Sequence, residues 1–175
     1  SYLARLLERE GRVVVRIKTT DRNHEVKTWN VVGDVVPPNP VDDEYVLVGS
    51  HLDGHDISQG AVDPASGAVT VMEIARVLCK VKDKLKRRVR VATFGAEEIG
   101  LYGSRAYTAS PLFPPSRTVA MINLDMIGRS RKGRLTVMGT GTGDVFEKIL
   151  KEENEFTGLR LTMTRAAYPG SDHQS

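Results

Sequence analysis

The chain of 175 residues is 40% hydrophobic and 27% charged, proportions that are ordinary for a globular domain with a hydrophobic core. Its 25 basic and 22 acidic side chains leave a net charge of +3, which is too balanced to favour a nucleic-acid-binding protein. The sequence has no run of about 18 apolar residues and a single cysteine, so we expect no membrane span, no internal disulfide and no zinc–thiolate site.

The N-terminal part of the sequence predicts one helix, one β-hairpin and a loop. A short helix is expected over residues 2–10, where three leucines share one face. The alternating, β-branched stretches 12–19 and 25–35 predict two antiparallel strands joined by a turn at 21–24. The Pro- and Asp-rich stretch 36–44 then predicts a loop.

From residue 45 onwards, short apolar strands alternate with helices. The continuous apolar run 45–50 is typical of a strand that is covered on both faces. Further strands are expected at 88–95, 118–128, 134–140 and 159–165, and helices at 65–81 and 144–155. This alternation predicts an α/β fold, in which helices flank a mixed, largely parallel central sheet with an antiparallel edge.

The predicted helix 65–81 is amphipathic, with Ala68, Val71, Met72, Ala75 and Leu78 on one face. Cys79 falls within this apolar pattern, so we expect a buried thiol. The basic run 80–90 follows. Because no aromatic residues interleave with it, we interpret it as a solvated connection rather than a phosphate-binding patch.

Acids and histidines follow the apolar strands at the points where the strands end. In open α/β sheets, ligands bind beyond the carboxyl ends of the strands, so these side chains are expected to converge. They are His51 and Asp53 after the first buried strand, Glu97 and Glu98 after the second, Asp125 near the end of the third, and Asp172 and His173 after the last.

Imidazole and carboxylate groups without thiolates suit zinc or another divalent first-row ion. Five ligands that share one carboxylate can hold two ions about 3.5–4 Å apart. Two adjacent acids can divide their roles, one on the metal and one as the base that takes a proton from water. The candidate ligands are His51, Asp63, Glu98, Asp125 and His173, and the acid pair of "AEE" offers a base.

Each of these motifs has a simpler interpretation when it is taken alone. The "HLD" motif fits a surface loop, and "GAEE" fits a solvated turn. Asp125 is different, because it interrupts the apolar run "MINLDMIG", where an unpaired buried carboxylate would cost several kcal/mol. A metal ion would offset that cost.

The motifs "HLD", "GAVDPASGA", "FGAEEIGLYGS", "NLDMIG" and "GSDH" together carry a family resemblance. In order and spacing, residues 45–173 resemble the M28 family of co-catalytic zinc peptidases, which includes bacterial aminopeptidases and the carboxypeptidase Q branch. The stretch 12–35 is also similar to the segment that precedes the catalytic core in that branch. The resemblance implies a metal-dependent exopeptidase, an aminopeptidase or dipeptidase, that cleaves terminal peptide bonds with a water activated by two zinc ions.

The resemblance also implies a role for each candidate residue. Asp63 would bridge the two ions and Glu97 would be the general base, while the Asp53 carboxylate would orient His51. The substrate would be a peptide or dipeptide, and a homodimer is compatible with the sequence. The remaining ligands would be His51 and Asp125 on one ion, and Glu98 and His173 on the other.

The sequence departs from the family pattern at three points. Pro64 replaces a second acid, and we predict a cis Asp63–Pro64 bond. Gly54 stands where relatives often have serine, which leaves His55 and Asp56 as rival ligands, although we interpret them as loop or outer residues. The chain ends two residues after His173, so we expect a single metallopeptidase domain over 1–175 that is incomplete at its C-terminus.

Other activities remain open on the sequence alone. A carboxypeptidase-type enzyme would need a cation for the free carboxylate of its substrate. Arg129, Arg131 and Arg165 are candidates for that role, although each also suits an exposed surface. Tyr168 would either support the reaction intermediate or line the pocket. A glutaminyl-cyclase-like enzyme and a non-catalytic domain are the remaining alternatives.

Overall fold

The computed structural model describes residues 2–20, 22, 25–110 and 112–175. Short 3-10 turns occur at Lys82–Lys84, Pro115–Arg117, Thr140–Thr142 and Asp172–Gln174. The helices and strands of the described residues are α1 (Tyr2–Glu10), β1 (Val31–Val35), β2 (Tyr45–His51), α2 (Ala65–Lys80), β3 (Arg88–Phe94), α3 (Tyr102–Ala109), β4 (Thr118–Asn123), β5 (Arg134–Met138), α4 (Phe146–Thr157) and β6 (Arg160–Thr164).

The central sheet has the strand order β1-β3-β2-β4. β2 runs parallel to both β3 and β4, and β1 is the antiparallel edge, which confirms the predicted fold class. Parallel strands need a long crossover between them, and α2 provides it between β2 and β3. β5 and β6 form a separate parallel pair, a division that the sequence pattern does not reveal.

The predicted N-terminal hairpin is wrong. The described residues of 12–30 contain no strand, and β1 pairs with β3 rather than with 12–19. The predicted turn at 21–24 lies outside the described residues apart from Arg22. β-Propensity measures how well a segment fits a half-buried pleated surface. Here Val14 and Ile17 are 74% and 79% exposed, so this segment covers no such surface.

The hydrophobic core lies between the sheet and α3, a helix that the sequence analysis missed. Its buried members include Tyr45, Phe94 and Tyr107. Tyr107 packs edge-on against Phe94 with ring centroids 5.5 Å apart, and stacks on Phe113 at 4.7 Å. The stretch 107–115 therefore supplies core aromatics.

The buried face of α2 differs from the predicted one. Gly67 and Val71 are buried against the sheet, whereas Met72 is 69% exposed and Cys79 is also exposed. The expected burial of Cys79 is therefore wrong. Because Gly67 lies close to the sheet, the side of the helix that faces the sheet contains the positions at helical spacing from it, which are 67, 71, 74 and 78. Met72 and Cys79 each lie about 100° around the helix from that side.

The arginines at the end of the basic run 80–90 are held by carboxylates. Arg87 forms a bidentate pair with Asp42, and Arg90 forms one with Asp34. The side chains of Lys80, Lys82 and Lys84 are exposed, in agreement with a solvated connection. Within the described part of the chain, no helix has the length and apolarity to cross a bilayer.

Candidate metal centre

The site forms where the parallel strands β2, β3 and β4 end. His51 is the last residue of β2 and is 1% exposed. Backbone hydrogen bonds continue past the strand ends. The Leu52 amide donates to the Phe94 carbonyl at 2.7 Å, and the Leu124 amide donates to the Gly49 carbonyl at 2.8 Å. These bonds fix the residues that follow each strand, so the carboxyl ends stay together.

The first group of candidate ligands combines one imidazole with two carboxylates. The Nε2 atom of His51 lies 2.9 Å from Oδ1 of Asp63 and 3.5 Å from Oδ1 of Asp125. Asp63 comes from the loop before α2, and Asp125 lies two residues beyond β4. The structure therefore brings together three residues that are far apart in the sequence.

The second group adds the two acids that follow β3. His51, Glu97 and Glu98 each offer a ligand atom, and these atoms lie within 4.8 Å of one another. The Nδ1 atom of His51 is 3.9 Å from Oε2 of Glu97, whose side chain is 10% exposed. His51 thus stands between the Asp63–Asp125 pair and the Glu97–Glu98 pair.

Four ligand atoms of this site make no regular hydrogen bond in the described part of the chain. They are His51 Nε2, Asp63 Oδ1, Asp125 Oδ1 and Glu98 Oε1, all buried, and the first two lie 2.9 Å apart. An unsatisfied buried polar group costs about 1–3 kcal/mol, and more when it is charged. Divalent cations bound here would satisfy these atoms, and a nitrogen and oxygen donor set without sulfur fits zinc.

His51 is oriented for such a role by a backbone group. Its Nδ1–H donates to the carbonyl oxygen of Asp53 at 2.9 Å, which leaves the Nε2 lone pair of the neutral ring for a cation. The expected orienting contact from the Asp53 carboxylate measures 3.9 Å. That carboxylate instead accepts the amide N–H groups of Glu97 at 2.9 Å and Glu98 at 3.2 Å.

His173 lies near the site but in neither group of clustered ligand atoms that the described residues form. Its Nε2–H donates to the carbonyl oxygen of Tyr168 at 2.8 Å. His173 nevertheless acts on the site, because its charge adds to the effect of His51 in lowering the pKa of Asp125. The ring is therefore a neighbour of the site that faces a backbone carbonyl.

Burial and charge set the protonation of the site. Burial disfavours the protonated imidazole of His51, but the carboxylates of Asp125, Glu97 and Asp63 outweigh it and raise its pKa to about 9. Burial raises the pKa of Glu97 to about 7, with Asp172 among the acids that add to this rise. A pKa near neutrality suits a general base.

Asp172 is a residue of the site to which the sequence analysis assigned no role. It is 2% exposed, and neither of its oxygens has a hydrogen bond to the described residues. Burial raises its pKa, and Asp53 and Asp125 act in the same direction. Its position after the last predicted strand is a signal that could identify it. The sequence analysis instead gives the ligand role to the neighbouring His173.

The other candidate residues lie outside the cluster. His55 and Asp56 are exposed, as expected of loop residues. Arg129 and Arg131 are exposed as well, and Arg165 pairs with Glu147 at 3.0 Å. Tyr168 is 56% exposed and lines a shallow cavity of about 330 Å³ together with Ala167, Pro169, His173 and Gln174. The Asp63–Pro64 bond is cis, which confirms that prediction.

The chain is similar in sequence to known peptidases. The sequence profile of peptidase family M28 matches residues 30–175. The chain is 35% identical over 138 residues to the aminopeptidase NAALADL1 of Mus musculus, a match that covers 76% of this chain and 18% of that protein. It is 36% identical over 130 residues to an aminopeptidase of Pseudomonas aeruginosa, covering 74% of this chain and 22% of that one.

The fold is similar to that of a solved zinc enzyme. The structure of BSAP, a zinc aminopeptidase from Bacillus subtilis, matches with a TM-score of 0.65 and 28% sequence identity. The match covers 83% of this chain and 36% of that one. The chain spans about a fifth of the length of the two curated relatives. Because the family profile covers most of its residues, this chain belongs to peptidase family M28.

Proposed function

We propose that this chain carries the zinc site of a metal-dependent exopeptidase that removes residues from the N-terminus of peptides, and that residues 1–175 belong to one metallopeptidase catalytic domain. The observation that carries the proposal is the convergence, beside Glu97, of four buried ligand atoms that make no regular hydrogen bond. The aminopeptidases among its relatives support the N-terminal specificity. Closer kinship with the carboxypeptidase Q branch stays a prediction.

The donor set is large enough for two cations. His51, Asp63 and Asp125 would hold the first, because their ligand atoms already form one cluster. Asp63 would be shared with the second cation. Glu98 would also bind that cation, through its Oε1 atom, which has no hydrogen bond among the described residues. His173 would join only if its ring turned away from the Tyr168 carbonyl.

When bound, zinc ions lower the pKa of a water molecule and polarise the carbonyl of the scissile bond. The residues of the chain supply the rest. Glu97 would take the proton of the attacking water and pass it to the leaving amine. Positive charge beside Glu97 would favour its carboxylate form, so the base form would be present at neutral pH. Asp53 would hold the backbone of Glu97 in place.

The proposal is tested by metal analysis together with a substrate panel. The purified protein is assayed for bound zinc and for cleavage of aminoacyl-p-nitroanilides, their N-acetylated counterparts and unblocked dipeptides. We expect cleavage only where the amino terminus is free, loss of activity on chelation, and recovery with added zinc.

Three other results, with the matching peptides added to the panel, would contradict the proposal. Cleavage of N-blocked peptides with a free carboxylate would indicate a carboxypeptidase. Absence of both zinc binding and turnover would indicate a non-catalytic domain. Release of ammonia from peptides with N-terminal glutamine would indicate glutaminyl cyclisation instead.

A further inference from the structure

The loop from Gly95 to Gly103 carries both Glu97 and Glu98 between β3 and α3. Its two ends meet, because the Gly103 amide donates to the Gly95 carbonyl at 2.9 Å. Inside the loop, Ala96 and Leu101 have φ angles of 58° and 60°. Residues with a side chain rarely adopt this left-handed region, and they persist there only when the surroundings hold them.

The side chain of Asn30 holds both ends of this loop. Its Oδ1 accepts the Gly95 N–H at 3.1 Å, and its Nδ2 donates to the Gly103 carbonyl at 2.8 Å. Asn30 is half-buried and directly precedes β1, which pairs with β3. The fit is close, since a Cβ on Gly103 would overlap Asn30 Oδ1 and a Cβ on Gly95 would overlap Thr28 Oγ1.

The chemistry of the two loop ends explains the residue type. They present one N–H and one carbonyl to the same side chain, and a carboxamide offers an acceptor and a donor in one plane. An aspartate would keep the acceptor and lose the donor. An alanine would lose both.

We propose that Asn30 is a positioning residue that fixes the Gly95–Gly103 loop, and through it Glu97 and Glu98, for the function proposed above. The loop is then held at two places. Asp53 binds the amides of Glu97 and Glu98, and Asn30 closes the loop where it leaves β3 and enters α3. Loss of the Asn30 side-chain amide would release the loop at Gly95 and Gly103. Glu97 and Glu98 would then move away from the residues that they contact.

The test compares Asn30→Ala and Asn30→Asp with a matched control, Asn154→Ala. Asn154 makes the same kind of double contact, since its Nδ2 donates to the Leu159 carbonyl at 2.8 Å and its Oδ1 accepts the Leu159 N–H at 3.0 Å. It lies at the end of α4, away from the strand ends that form the site. The control therefore removes an equivalent pair of hydrogen bonds, together with one from Thr157 Oγ1, without touching the loop.

Hydrogen exchange in the metal-free protein is the first measurement, because it does not depend on any activity. Asn30→Ala is expected to speed exchange across residues 95–103, whereas Asn154→Ala leaves that peptide unchanged. Asn30→Asp should speed exchange less, since its carboxylate can still accept the Gly95 N–H. If Asn30→Ala does not fold, the isosteric aspartate variant carries the comparison.

Zinc affinity and steady-state kinetics are the second measurement. Residues that orient ligands typically change metal affinity or activity by about 10–100-fold. We expect Asn30→Ala to weaken zinc binding and lower kcat within that range, with KM nearly unchanged, and Asn154→Ala to alter neither.

The two proposals fail in different ways. If the Asn30 variants match the control in exchange, zinc affinity and kcat, Asn30 has no positioning role, even if the wild-type enzyme is active. If the wild type binds no zinc and turns over no peptide, the proposed function fails, and the exchange data still decide whether Asn30 fixes the loop.

Discussion

The Oδ1 atom of Asp53 accepts a hydrogen bond from the amide of Glu97 at 2.9 Å. Its other oxygen accepts the amide of Glu98, and its backbone carbonyl accepts the Nδ1–H of His51 at 2.9 Å. One residue thus connects the end of β2 with the loop that follows β3. The histidine and the two acids of the site are positioned by the same side chain and peptide group.

Replacing Asp53 should therefore disturb the acids while His51 keeps its partner. Asp53→Ala removes the acceptor of two amides but leaves the backbone carbonyl, so we expect zinc affinity and kcat to fall by about 10–100-fold. Asp53→Asn retains one acceptor, so its zinc affinity and kcat should lie between those of the wild type and the alanine variant. Isothermal titration with zinc and steady-state assays measure both quantities. An alanine variant with wild-type values would contradict this role.

Glu97 and Glu98 are adjacent, yet their substitution should have different consequences. Glu97→Gln is expected to reduce kcat by at least about 100-fold, because a carboxamide cannot take a proton from water. Its zinc content should stay close to that of the wild type. Glu98→Gln should instead lose zinc, since its Oε1 is one of the unpartnered donor atoms. Metal analysis of both variants, with rates measured in parallel, separates the two roles, and near-normal turnover in Glu97→Gln would exclude it as the base.

Zinc binding should depend strongly on pH because a proton competes for His51. The pKa of His51 in the metal-free protein is raised from 6.5 to about 9, so the ring is protonated at neutral pH and must lose that proton to bind zinc. Affinity should rise by up to about tenfold per pH unit as pH approaches 9. Competition with a chelator at several pH values measures this slope. A flat profile would show that His51 is not a ligand.

The same shift has the opposite effect on the stability of the metal-free protein. A raised pKa means that the folded state holds the proton more tightly than the unfolded state. The stabilisation is complete below pH 6.5 and is lost as pH rises through about 9. Without zinc, the melting temperature should therefore fall across this window, and with saturating zinc the fall should be reduced. Replacing His51 with Gln should remove this part of the pH dependence.

The strand ends were predictable from the sequence, because the carboxyl ends of parallel strands meet at one edge. That rule predicts that His51, Asp125 and the Glu97–Glu98 pair converge, and their side chains do lie together. The orientation of single side chains was not predictable. His173 donates to the Tyr168 carbonyl, and the Asp53 carboxylate binds amides rather than the imidazole. Periodicity also cannot tell which partner a strand finds, so it predicts a strand over 12–19 that does not form.

Buried charge away from the metal site is expected to stabilise the fold. Arg90 is 7% exposed, pairs with both oxygens of Asp34 at 2.7 and 2.9 Å, and lies 4.2 Å above the Tyr45 ring. Removing one partner of a buried pair leaves the other charge uncompensated. Asp34→Ala should therefore lower the free energy of unfolding by about 3 kcal/mol, measured by urea denaturation.

The more exposed pair of Arg87 and Asp42 is the control for this prediction. It has the same bidentate geometry, at 3.0 and 2.6 Å, but its side chains are 41% and 30% exposed. Solvent screens such a pair, so Asp42→Ala should change the unfolding free energy much less. Equal losses in the two variants would show that burial does not set the contribution of the Arg90 pair.

Gly67 connects the packing of α2 to the geometry of the metal site. Alanine is ordinarily the better helix residue by about 1 kcal/mol, so Gly67→Ala would be stabilising on propensity alone. A Cβ at this position would overlap the Leu124 carbonyl and the Ser50 hydroxyl, and these residues directly precede Asp125 and His51. The helix must then move away from the sheet, or the two strand ends must shift. We expect a loss of about 2 kcal/mol in unfolding free energy, typical of overpacking, together with weaker zinc binding.

Gly33→Ala is the control, because its Cβ would meet only Val91 Cγ2 at 3.7 Å. If Gly67→Ala were stabilising and bound zinc normally, the close contact between α2 and the strand ends would not be what sets the site.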